Sequence, residues 1–328
     1  MILGAVGTVI ALVAVTDVYI TTISMRGAGP LSGRVMSTLW RPAVRSTRFS
    51  HWALQVYGSL MLPLAVAMWA TLLYVGFTLV FLGDPDAVVR ATNGAPAGIG
   101  ERLYFVGYTM STLGNGELRP GAGVWRAGTV AASLAGLVLI TLAITYVTPV
   151  MNAVVTKRRV ARMIVDLGPT VSDLLDKGWD GESFDRLRGH LSNLAPAFAD
   201  LAQQHMAYPV LHYFHPVDRG TALAPATALL DDTLTLLRFG VAEPQRPDPV
   251  TLGRVTAAVD LLLAALHEAH IDPVDEPPEP PSLAILDRLG VPCVTEQEYH
   301  AAAADADLSD RRALLAGFVA NDGWSWGT

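Results

Sequence analysis

The sequence predicts an all-α membrane protein joined to a helical soluble domain. Of its 328 residues 51% are hydrophobic, and its mean hydropathy is positive, a composition that soluble enzymes rarely have. Residues 1–165 hold 13 of the 23 basic residues but 5 of the 30 acidic ones. The apolar half is therefore basic, and the acidic half has the composition of a solvated domain. This acidity argues against a nucleic-acid partner, because binding to phosphates needs a basic footprint.

The first predicted span covers residues 2–23 of an N-terminal segment, 1–24. Its apolar run is long enough for about 30 Å of hydrocarbon at about 1.5 Å per residue. A cleaved signal peptide is the alternative, but its basic start and small-residue cleavage site are not evident. Asp17 lies inside this span, where a carboxylate is costly. It either anchors a neighbouring helix or marks a helix end that lies shallower in the membrane.

Residues 25–54 form a basic linker that is predicted to face the cytoplasm, because it has five arginines and no acid. The arginines are Arg26, Arg34, Arg41, Arg45 and Arg48. An amphipathic stripe with helical spacing is formed by Leu31, Val35, Met36 and Leu39. We expect this stretch to lie along the inner membrane interface, with Trp40 at headgroup level.

Two more spans are predicted at residues 56–82, with a kink at Pro63, and at residues 125–156. The stretch 83–100 is rich in turn-forming residues and poor in positive charge, which suits the outside of the membrane. The last span ends in a basic cluster that fixes this end in the cytoplasm, namely Lys157, Arg158, Arg159 and Arg162. The N-terminus is then outside and the C-terminal half is cytoplasmic.

Residues 101–112 are apolar enough to enter the membrane but too short to cross it, which is the length of a re-entrant helix. The chain must then return to the outside by Pro120 as irregular backbone. Bare carbonyls at that depth are tolerated only where protein covers them or where they line a water-filled path. Gly114 and Gly116 permit backbone angles of alternating hand, so successive carbonyls can point to one axis. One chain supplies one wall of such a path, so several copies must surround it.

The stretch from Ser111 to Pro120, STLGNGELRP, resembles the potassium-channel signature T-T-V-G-Y-G-D-L-x-P without a gap. Thr109 falls where that family has a pore-helix threonine. Gly136 matches the hinge glycine of the inner helix in two-helix bacterial potassium channels, and Arg126 matches an arginine near the outer end of that helix. The resemblance covers about residues 55–160. Outside the filter, DVYITT, GPLS and ITLAITYVTPV resemble a largely uncharacterised set of bacterial potassium-channel-like proteins.

This resemblance implies a homotetrameric cation channel in lipid, in a bacterial inner membrane, with K+ or another monovalent cation as permeant ligand and no cofactor. It divides the pore module 55–160 into an outer helix 56–82, a pore helix 101–111, a filter 112–117 and an inner helix 125–156. Residues 161–328 then form a cytoplasmic helical domain that an unknown regulator could address. The implied ion-binding residues are Thr112, Leu113, Gly114, Asn115 and Gly116. The implied supports on the pore helix are Tyr104, Tyr108 and Thr109.

Three positions depart from the family pattern. Asn115 replaces the filter aromatic, and its amide could hydrogen-bond Tyr104, Tyr108 or a neighbouring filter strand. If filter rigidity sets selectivity, sodium passes as well; if the number of carbonyl ligands sets it, potassium still wins. Glu117 replaces the acid at the outer mouth, where a ring of carboxylates concentrates cations, although a plain exposed loop acid is the alternative. Tyr108 stands where some relatives carry a buried carboxyl behind the filter.

The inner helix is predicted to hold the gate. Leu137, Ile140 and Ile144 recur with helical spacing and could line the cavity below the filter, where an apolar ring closes a pore by dewetting. Packing of this stripe against the second span is an equal interpretation. Pro149 removes a helical hydrogen bond, so a bend is expected there. With Gly136, this bend would set the gate, and an ordinary membrane-helix proline is the alternative.

The C-terminal half is predicted to be helical and to contain no known regulatory or catalytic motif. Helices are expected near residues 170–178, 181–206, 220–239, 249–270, 281–289, 295–304 and 308–320. The stretch lacks the glycine fingerprint of a nucleotide-binding Rossmann unit and the spacing of an EF-hand. The lone Cys293 excludes an internal disulfide. His212 with His215, and His267 with His270, are spaced i, i+3 rather than the zincin i, i+4, so we expect no metal site.

Two other function classes remain open at this stage. A non-conducting receptor or scaffold could keep the pore fold and act through its helical half, and Asn115 is the feature that favours it. A membrane-anchored enzyme would need chemistry in the helical half, where no nucleophile and base stand out. We therefore expect a channel and no enzymatic activity.

Overall fold

The computed structural model describes residues 2–24, 27–46, 50–268, 271–306 and 308–327. Arg26, Arg48 and His270, which the sequence analysis singled out, lie outside the described residues. The fold is that of an all-α membrane protein with one small sheet. The chain divides into a first unit, Met1–Met36 with Leu60–Val150, and a second unit, Ser37–Ser59 with Met151–Thr328.

The helices follow the predicted order. They are α1 (Ile2–Thr22), α2 (Pro30–Arg45), α3 (His51–Ser59), α4 (Met61–Leu82), α5 (Ile99–Met110), α6 (Val124–Val165), α7 (Val171–Gly178), α8 (Asp185–Ala207), α9 (Leu223–Thr235), α10 (Pro249–Glu268), α11 (Ala284–Arg288), α12 (Glu296–Asp305) and α13 (Leu308–Asn321). Strands β1 (Val88–Arg90) and β2 (Leu118–Pro120) pair antiparallel. A 3-10 turn covers Pro209–Tyr213, and α9 ends in a π turn at Leu236–Gly240.

Four helical segments are long and apolar enough to cross a membrane: Ile2–Thr22, His51–Leu82, Val124–Val165 and Pro249–His267. The first three correspond to the predicted spans. The fourth is α10, whose apolar face is already covered inside the second unit, because it packs along α8. Its buried face consists of Leu252, Val255, Val259, Leu262 and Leu266. This helix therefore belongs to the core of a helical domain.

Glycines allow α1 and α4 to pack closely in the first unit. A Cβ on Gly7 would lie 2.4 Å from the carbonyl oxygen of Gly76, and one on Gly76 would lie 2.9 Å from the amide of Ala11. Both distances are too short for any side chain. Helices in lipid associate through such small residues, since burial of apolar surface gains little there.

Asp17 anchors α1 to the start of α2 and to α4. Its carboxylate accepts hydrogen bonds from the backbone amides of Leu31 at 2.7 Å and Ser32 at 3.2 Å, and from the indole of Trp69 at 2.8 Å. Asp17 thus caps the N-terminus of α2 from a distance, where a negative charge is favourable. A side chain on Gly29 would collide with this carboxylate. The DVYITT and GPLS segments are therefore two halves of one capping site.

A turn interrupts the second predicted span. A turn at Leu60 separates α3 from α4, and α4 starts at Met61 rather than at residue 56. This break lies one turn before Pro63, which itself lies in the first turn of α4, so the interruption expected from this proline is found at Leu60. The physical reason is that a proline ring clashes with the carbonyl four residues earlier, which here belongs to Ser59.

Trp40 is covered by protein, so the expectation that its side chain faces lipid head groups is wrong. Its side chain is only 1% exposed, and its indole donates a hydrogen bond to the carbonyl of Asn321 at 3.1 Å. Its ring packs against Tyr57 and against the edge of Tyr213. Trp40 is therefore a core residue of the second unit. Its partners are distant in sequence, so local periodicity could not reveal them.

A buried polar cluster ties the end of α6 to the C-terminal segment of the second unit. Lys157 and Asp322 are both inaccessible to solvent, with Nζ and Oδ1 3.8 Å apart. Nδ1 of His51 and Nε2 of His215 are 2.9 Å apart, and the ring of His51 stacks on Trp324 with centroids 4.0 Å apart. Burial raises the pKa of Asp322, but the Lys157 ammonium, the hydrogen bond and charge of His215 and the charge of His212 together bring the pKa below its usual value.

Candidate functional site

The candidate site is the segment 111–117 with the elements that hold it, α5 before it and β2 after it. α5 is fixed at its N-terminus by Glu101, whose carboxylate accepts a hydrogen bond from the amide of Gly98 at 2.7 Å. The same carboxylate binds the guanidinium of Arg90 through two hydrogen bonds of 2.7 and 2.9 Å. The helix predicted at 101–111 is thus observed at Ile99–Met110, held by charged side chains at its N-terminal end.

Arg102 is a support that sequence reasoning missed. Only 9% of it is exposed, and its guanidinium donates hydrogen bonds to the carbonyls of Ala97 at 2.9 Å, Asp84 at 3.0 Å and Pro85 at 2.7 Å. A single side chain therefore joins α5 to the loop that follows α4. Because the partners of Arg102 are backbone carbonyls in an irregular loop, no pattern of residue types predicts this contact.

The chain returns from the segment 111–117 as a strand. β2 pairs with β1 in the register Val88 to Pro120 and Arg90 to Leu118. A side chain on Gly121 would collide with the carbonyl of Asp86, so the turn after β2 accepts only glycine. This small sheet fixes the far end of the segment, which the sequence analysis had treated as irregular backbone.

The backbone of the segment alternates in hand. Thr112, Gly114 and Gly116 have φ angles of 59°, 59° and 80°. Thr112 is the one non-glycine residue with positive φ among the residues that the structure describes. For a β-branched residue this conformation is strained by roughly 1–3 kcal/mol, and such strain persists mainly at functional sites. Alternating hand turns successive carbonyls toward one side of the chain.

Two tyrosines of α5 hold the segment from behind. The amide of Asn115 donates a hydrogen bond to the hydroxyl of Tyr104 at 2.5 Å, so of the three partners considered for Asn115 the structure has Tyr104. The hydroxyl of Tyr108 donates a hydrogen bond to the carbonyl of Leu118 at 2.8 Å. The two tyrosine rings pack edge to face with centroids 5.2 Å apart. An aromatic pair on the helix thus takes the place of an aromatic in the segment.

The other singled-out residues of this region lie at both ends of the segment. Thr109 is buried, and its carbonyl accepts a hydrogen bond from the amide of Thr112 at 3.2 Å. Glu117 has an exposed side chain, while its carbonyl accepts from the amide of Ala91 at 2.9 Å. The C-terminal end of α5 carries partial negative charge, which favours a cation beside the start of the segment.

Gly136 marks the closest approach of α6 to α5. A Cβ on Gly136 would lie 2.0 Å from the carbonyl oxygen of Met110, so only glycine fits this crossing. The helix is continuous through Gly136 and Pro149 from Val124 to Val165. The structure thus gives Gly136 a packing reason, and whether it is also a hinge stays a prediction.

The stripe on α6 is only partly covered by its own chain. Leu137, Ile140 and Ile144 are 49%, 47% and 68% exposed. Whether this stripe lines the cavity or packs against the second span therefore stays a prediction. The three side chains are available to line a cavity or to contact another subunit.

The histidines have separate partners. Nε2 of His212 lies 2.7 Å from the side-chain oxygen of Asn321, whereas His215 faces His51. Nδ1 of His267 lies 3.2 Å from the carbonyl of Ile271. Within the described ranges, no group of three or more histidine, cysteine, aspartate or glutamate residues is arranged to hold a metal ion.

Comparison with known proteins agrees with this geometry. Residues 64–153 match the profile of a protein family described as "Ion channel", and this range runs from α4 through α5 into α6. The chain is also 29% identical over 300 residues to a protein from Bacillus subtilis (strain 168) named "Uncharacterized membrane protein YdjJ", covering 92% of this chain and 87% of that protein. No solved structure matches the chain. These findings support a membrane protein with an ion-channel pore domain of the potassium-channel kind.

Proposed function

We propose that this chain forms a homotetrameric channel that conducts K+ across a bacterial inner membrane. Ions exchange their water for the carbonyls of Thr112, Leu113, Gly114 and Asn115 and for the Thr112 hydroxyl, with Gly116 completing the segment. The observation that carries this proposal is the alternation of backbone hand along 112–116. A surface turn needs positive φ at one or two residues, whereas positive φ at three alternate residues is what a carbonyl-lined path requires.

Exposure of the segment supports assembly around a shared axis. Residues 111–117 are all exposed in the single chain, including Leu113 at 69%. An apolar side chain and a row of carbonyls at membrane depth are stable only if copies of the chain cover them. Four copies would also place four Glu117 carboxylates at the outer mouth, where they attract cations.

Selectivity in this proposal depends on how firmly the segment is held. The hydrogen bond from Asn115 to Tyr104 and the one from Tyr108 to Leu118 both resist widening of the ring. We therefore expect K+ to be preferred over Na+, with a smaller preference than a filter packed by its own aromatic residues gives.

Gating is assigned to α6 and the helical domain beyond it. Pro149 weakens the helix between the exposed Ile140 and Ile144 stripe and the basic end of α6. The N-terminus lies outside and the C-terminal domain in the cytoplasm, as the arginine-rich linker and the basic cluster after residue 156 favour. A cytoplasmic signal would then reach the pore along one continuous helix.

The experiment is K+ flux from liposomes that contain the full chain, compared with the variant Gly114→Ala. Alanine strains the positive φ at residue 114 although a Cβ there meets no atom, so we expect flux to fall by at least tenfold. Gly100→Ala is the matched control, because residue 100 lies in α5 with open space around its Cβ. A tetrameric wild type without flux would favour the non-conducting receptor, and a monomer would end the proposal.

A further inference from the structure

A cavity of about 460 Å³ opens in the second unit beside the last turn of α6. Its walls combine apolar side chains, including Val165, Pro225 and Leu229, with two arginines, Arg162 and Arg219. The volume falls within the range of small-molecule sites, and largely apolar walls with few polar groups are typical of them. Nothing in the proposed conduction path uses this cavity.

The two arginines face the cavity from different elements. Arg162 belongs to α6, and a Cβ on Gly220 would lie 3.2 Å from its Nη1, which places Arg162 over the loop that carries Arg219. Arg219 donates a hydrogen bond to the carbonyl of Ser325 at 3.1 Å, and its guanidinium lies 5.7 Å from the ring centre of Trp324. Arg162 pairs with Asp166 at 2.9 Å, with both side chains more than half exposed. Such an exposed pair is weak and can exchange partners.

Of the two acids of the cavity wall, Asp232 is paired with a cation, whereas Asp218 bonds a backbone amide. Asp232 binds the guanidinium of Arg312 at 2.8 Å and the indole of Trp326 at 3.2 Å. Asp218 accepts a hydrogen bond from the amide of Gly220 at 2.9 Å. By contrast, Arg219 has no carboxylate within 4.0 Å among the residues that the structure describes. Asp218 and Arg219 thus both lack an ion-pair partner within 4.0 Å among the described residues, and Arg219 can pair with an anionic group of a ligand.

We propose that this cavity binds a small amphipathic anion, with a phosphate or carboxylate head between Arg162 and Arg219 and an apolar body against Val165, Pro225 and Leu229. Guanidinium groups suit such heads because their N–H groups match two oxygens at once. Since Arg162 and Val165 belong to the last turn of α6, the bound anion acts on the inner helix. This regulatory consequence rests on the proposed channel function, whereas the binding does not.

The test is calorimetric titration of the full chain in detergent with phenyl phosphate, which joins a dianionic head to an apolar ring. Inorganic phosphate supplies the head alone, and phenol supplies the ring alone. We expect saturable binding of phenyl phosphate that is at least tenfold tighter than that of either fragment. Arg219→Gln and Arg162→Gln should each weaken it by about tenfold. The control Arg288→Gln removes the same charge from an exposed position on α11 and should change nothing.

Several results would overturn this inference. Absence of saturation by phenyl phosphate, or equal loss in Arg288→Gln and the two cavity variants, removes the site. If Arg219→Gln disturbs folding, Arg162→Gln still tests the loss of binding, because the Arg162 side chain is half exposed and its replacement should not affect the fold. Phenyl phosphate binding could also be lost in vesicles that contain phosphatidylglycerol but kept in vesicles of phosphatidylcholine alone. An anionic lipid head group would then occupy the site, and the proposal of a free small anion would be overturned.

Flux separates this inference from the proposed function. If the liposomes conduct and phenyl phosphate binds, the flux should change in the wild type and stay constant in Arg219→Gln. Conduction without binding removes the cavity site alone. Binding without conduction leaves the cavity site in place and removes the channel.

Discussion

Asn115 ties the segment 111–117 to α5 by a hydrogen bond. Where the potassium-channel signature has an aromatic that packs behind the filter, this chain has a short amide that reaches Tyr104 on α5. A hydrogen bond restrains one direction of movement, whereas a packed ring restrains several. At residue 115 the segment is therefore restrained by one hydrogen bond and not by the packing of a whole ring.

Tyr104→Phe tests this restraint. The substitution keeps the ring and its contact with Tyr108 but removes the hydroxyl that accepts the hydrogen bond from Asn115. We expect the K+ to Na+ permeability ratio, measured from reversal potentials in mixed solutions, to fall severalfold. Tyr74→Phe is the control, because that hydroxyl bonds the carbonyl of Leu103 in α5 at 3.2 Å and does not touch the segment. Equal ratios in the two variants would mean that Tyr104 does not hold the filter.

Asp17 supports a prediction about stability. Asp17→Ala leaves the amides of Leu31 and Ser32 and the indole of Trp69 without their acceptor, at a cost of about 1–3 kcal/mol for each buried donor. We expect the thermal midpoint of the protein in detergent to drop by several degrees. Thr8→Ala is the comparison, since that exposed hydroxyl on the same helix only bonds the carbonyl of Gly4. An unchanged midpoint in Asp17→Ala would contradict the capping role.

At the residue scale, the sequence could predict that the glycines of the site adopt positive φ, but not that a neighbouring residue adopts it as well. Gly114 and Gly116 were expected to adopt positive φ because no other residue does so at low cost. Thr112 adopts it as well, and its conformation is set by the path between Thr109 and the segment. Arg102 was missed for a related reason, since its partners are carbonyls fixed by the fold.

The crossing of α1 and α4 makes a prediction at the scale of elements. Gly7→Ala places a methyl group 2.4 Å from the carbonyl oxygen of Gly76, so the helices must separate, at about 1–3 kcal/mol. Gly4→Ala is the matched control on the same helix, because its Cβ would meet its nearest atom, the carbonyl oxygen of Val80, at an ordinary 3.8 Å. We expect a lower thermal midpoint for the first variant alone. Equal midpoints would show that this crossing tolerates separation.

Element boundaries were predictable where the signal is local. The helices of the C-terminal half lie within a few residues of their predicted ranges. Apolar periodicity and proline breaks can be recognised within short stretches of sequence, so they predict these bounds. The start of α4 was not predictable in this way, since the clash of Pro63 acts four residues upstream. Trp40 was misplaced because the helical pattern of α2 does not say whether lipid or protein covers it.

At the scale of the whole molecule, the second unit collects residues from both ends of the chain. Residues 37–59 belong to the same unit as Met151–Thr328, although their arginines made them look like a separate membrane-surface linker. Order along the chain predicted three of the four helical segments that are long and apolar enough to cross a membrane, since each is one continuous stretch. It could not predict this unit, because the contacts of Trp40 with Tyr213 and Asn321 join distant segments.

Buried histidines make the stability of the second unit depend on pH. Burial, together with the charge of Lys157, lowers the pKa of His205 to about 3 from its usual 6.5. Burial lowers the pKa of His212 in the same direction. Below pH 6.5 the unfolded chain takes up protons that the folded chain does not, so the free energy of unfolding falls with pH between 6.5 and about 3.

We expect the second unit to lose about 2 kcal/mol for His205 alone between pH 7 and pH 5. The measurement is the urea midpoint of the full chain in detergent at the two pH values, followed by tryptophan fluorescence. His205→Leu keeps an apolar side chain of similar size in the core and should remove most of this drop, because no buried imidazole remains there to resist protonation. His190→Leu changes an exposed histidine of the same helix and should leave the drop intact. A midpoint that stays constant in the wild type would mean that His205 gains a partner for its proton, and the buried cluster around Asp322 would then be the place to look for it.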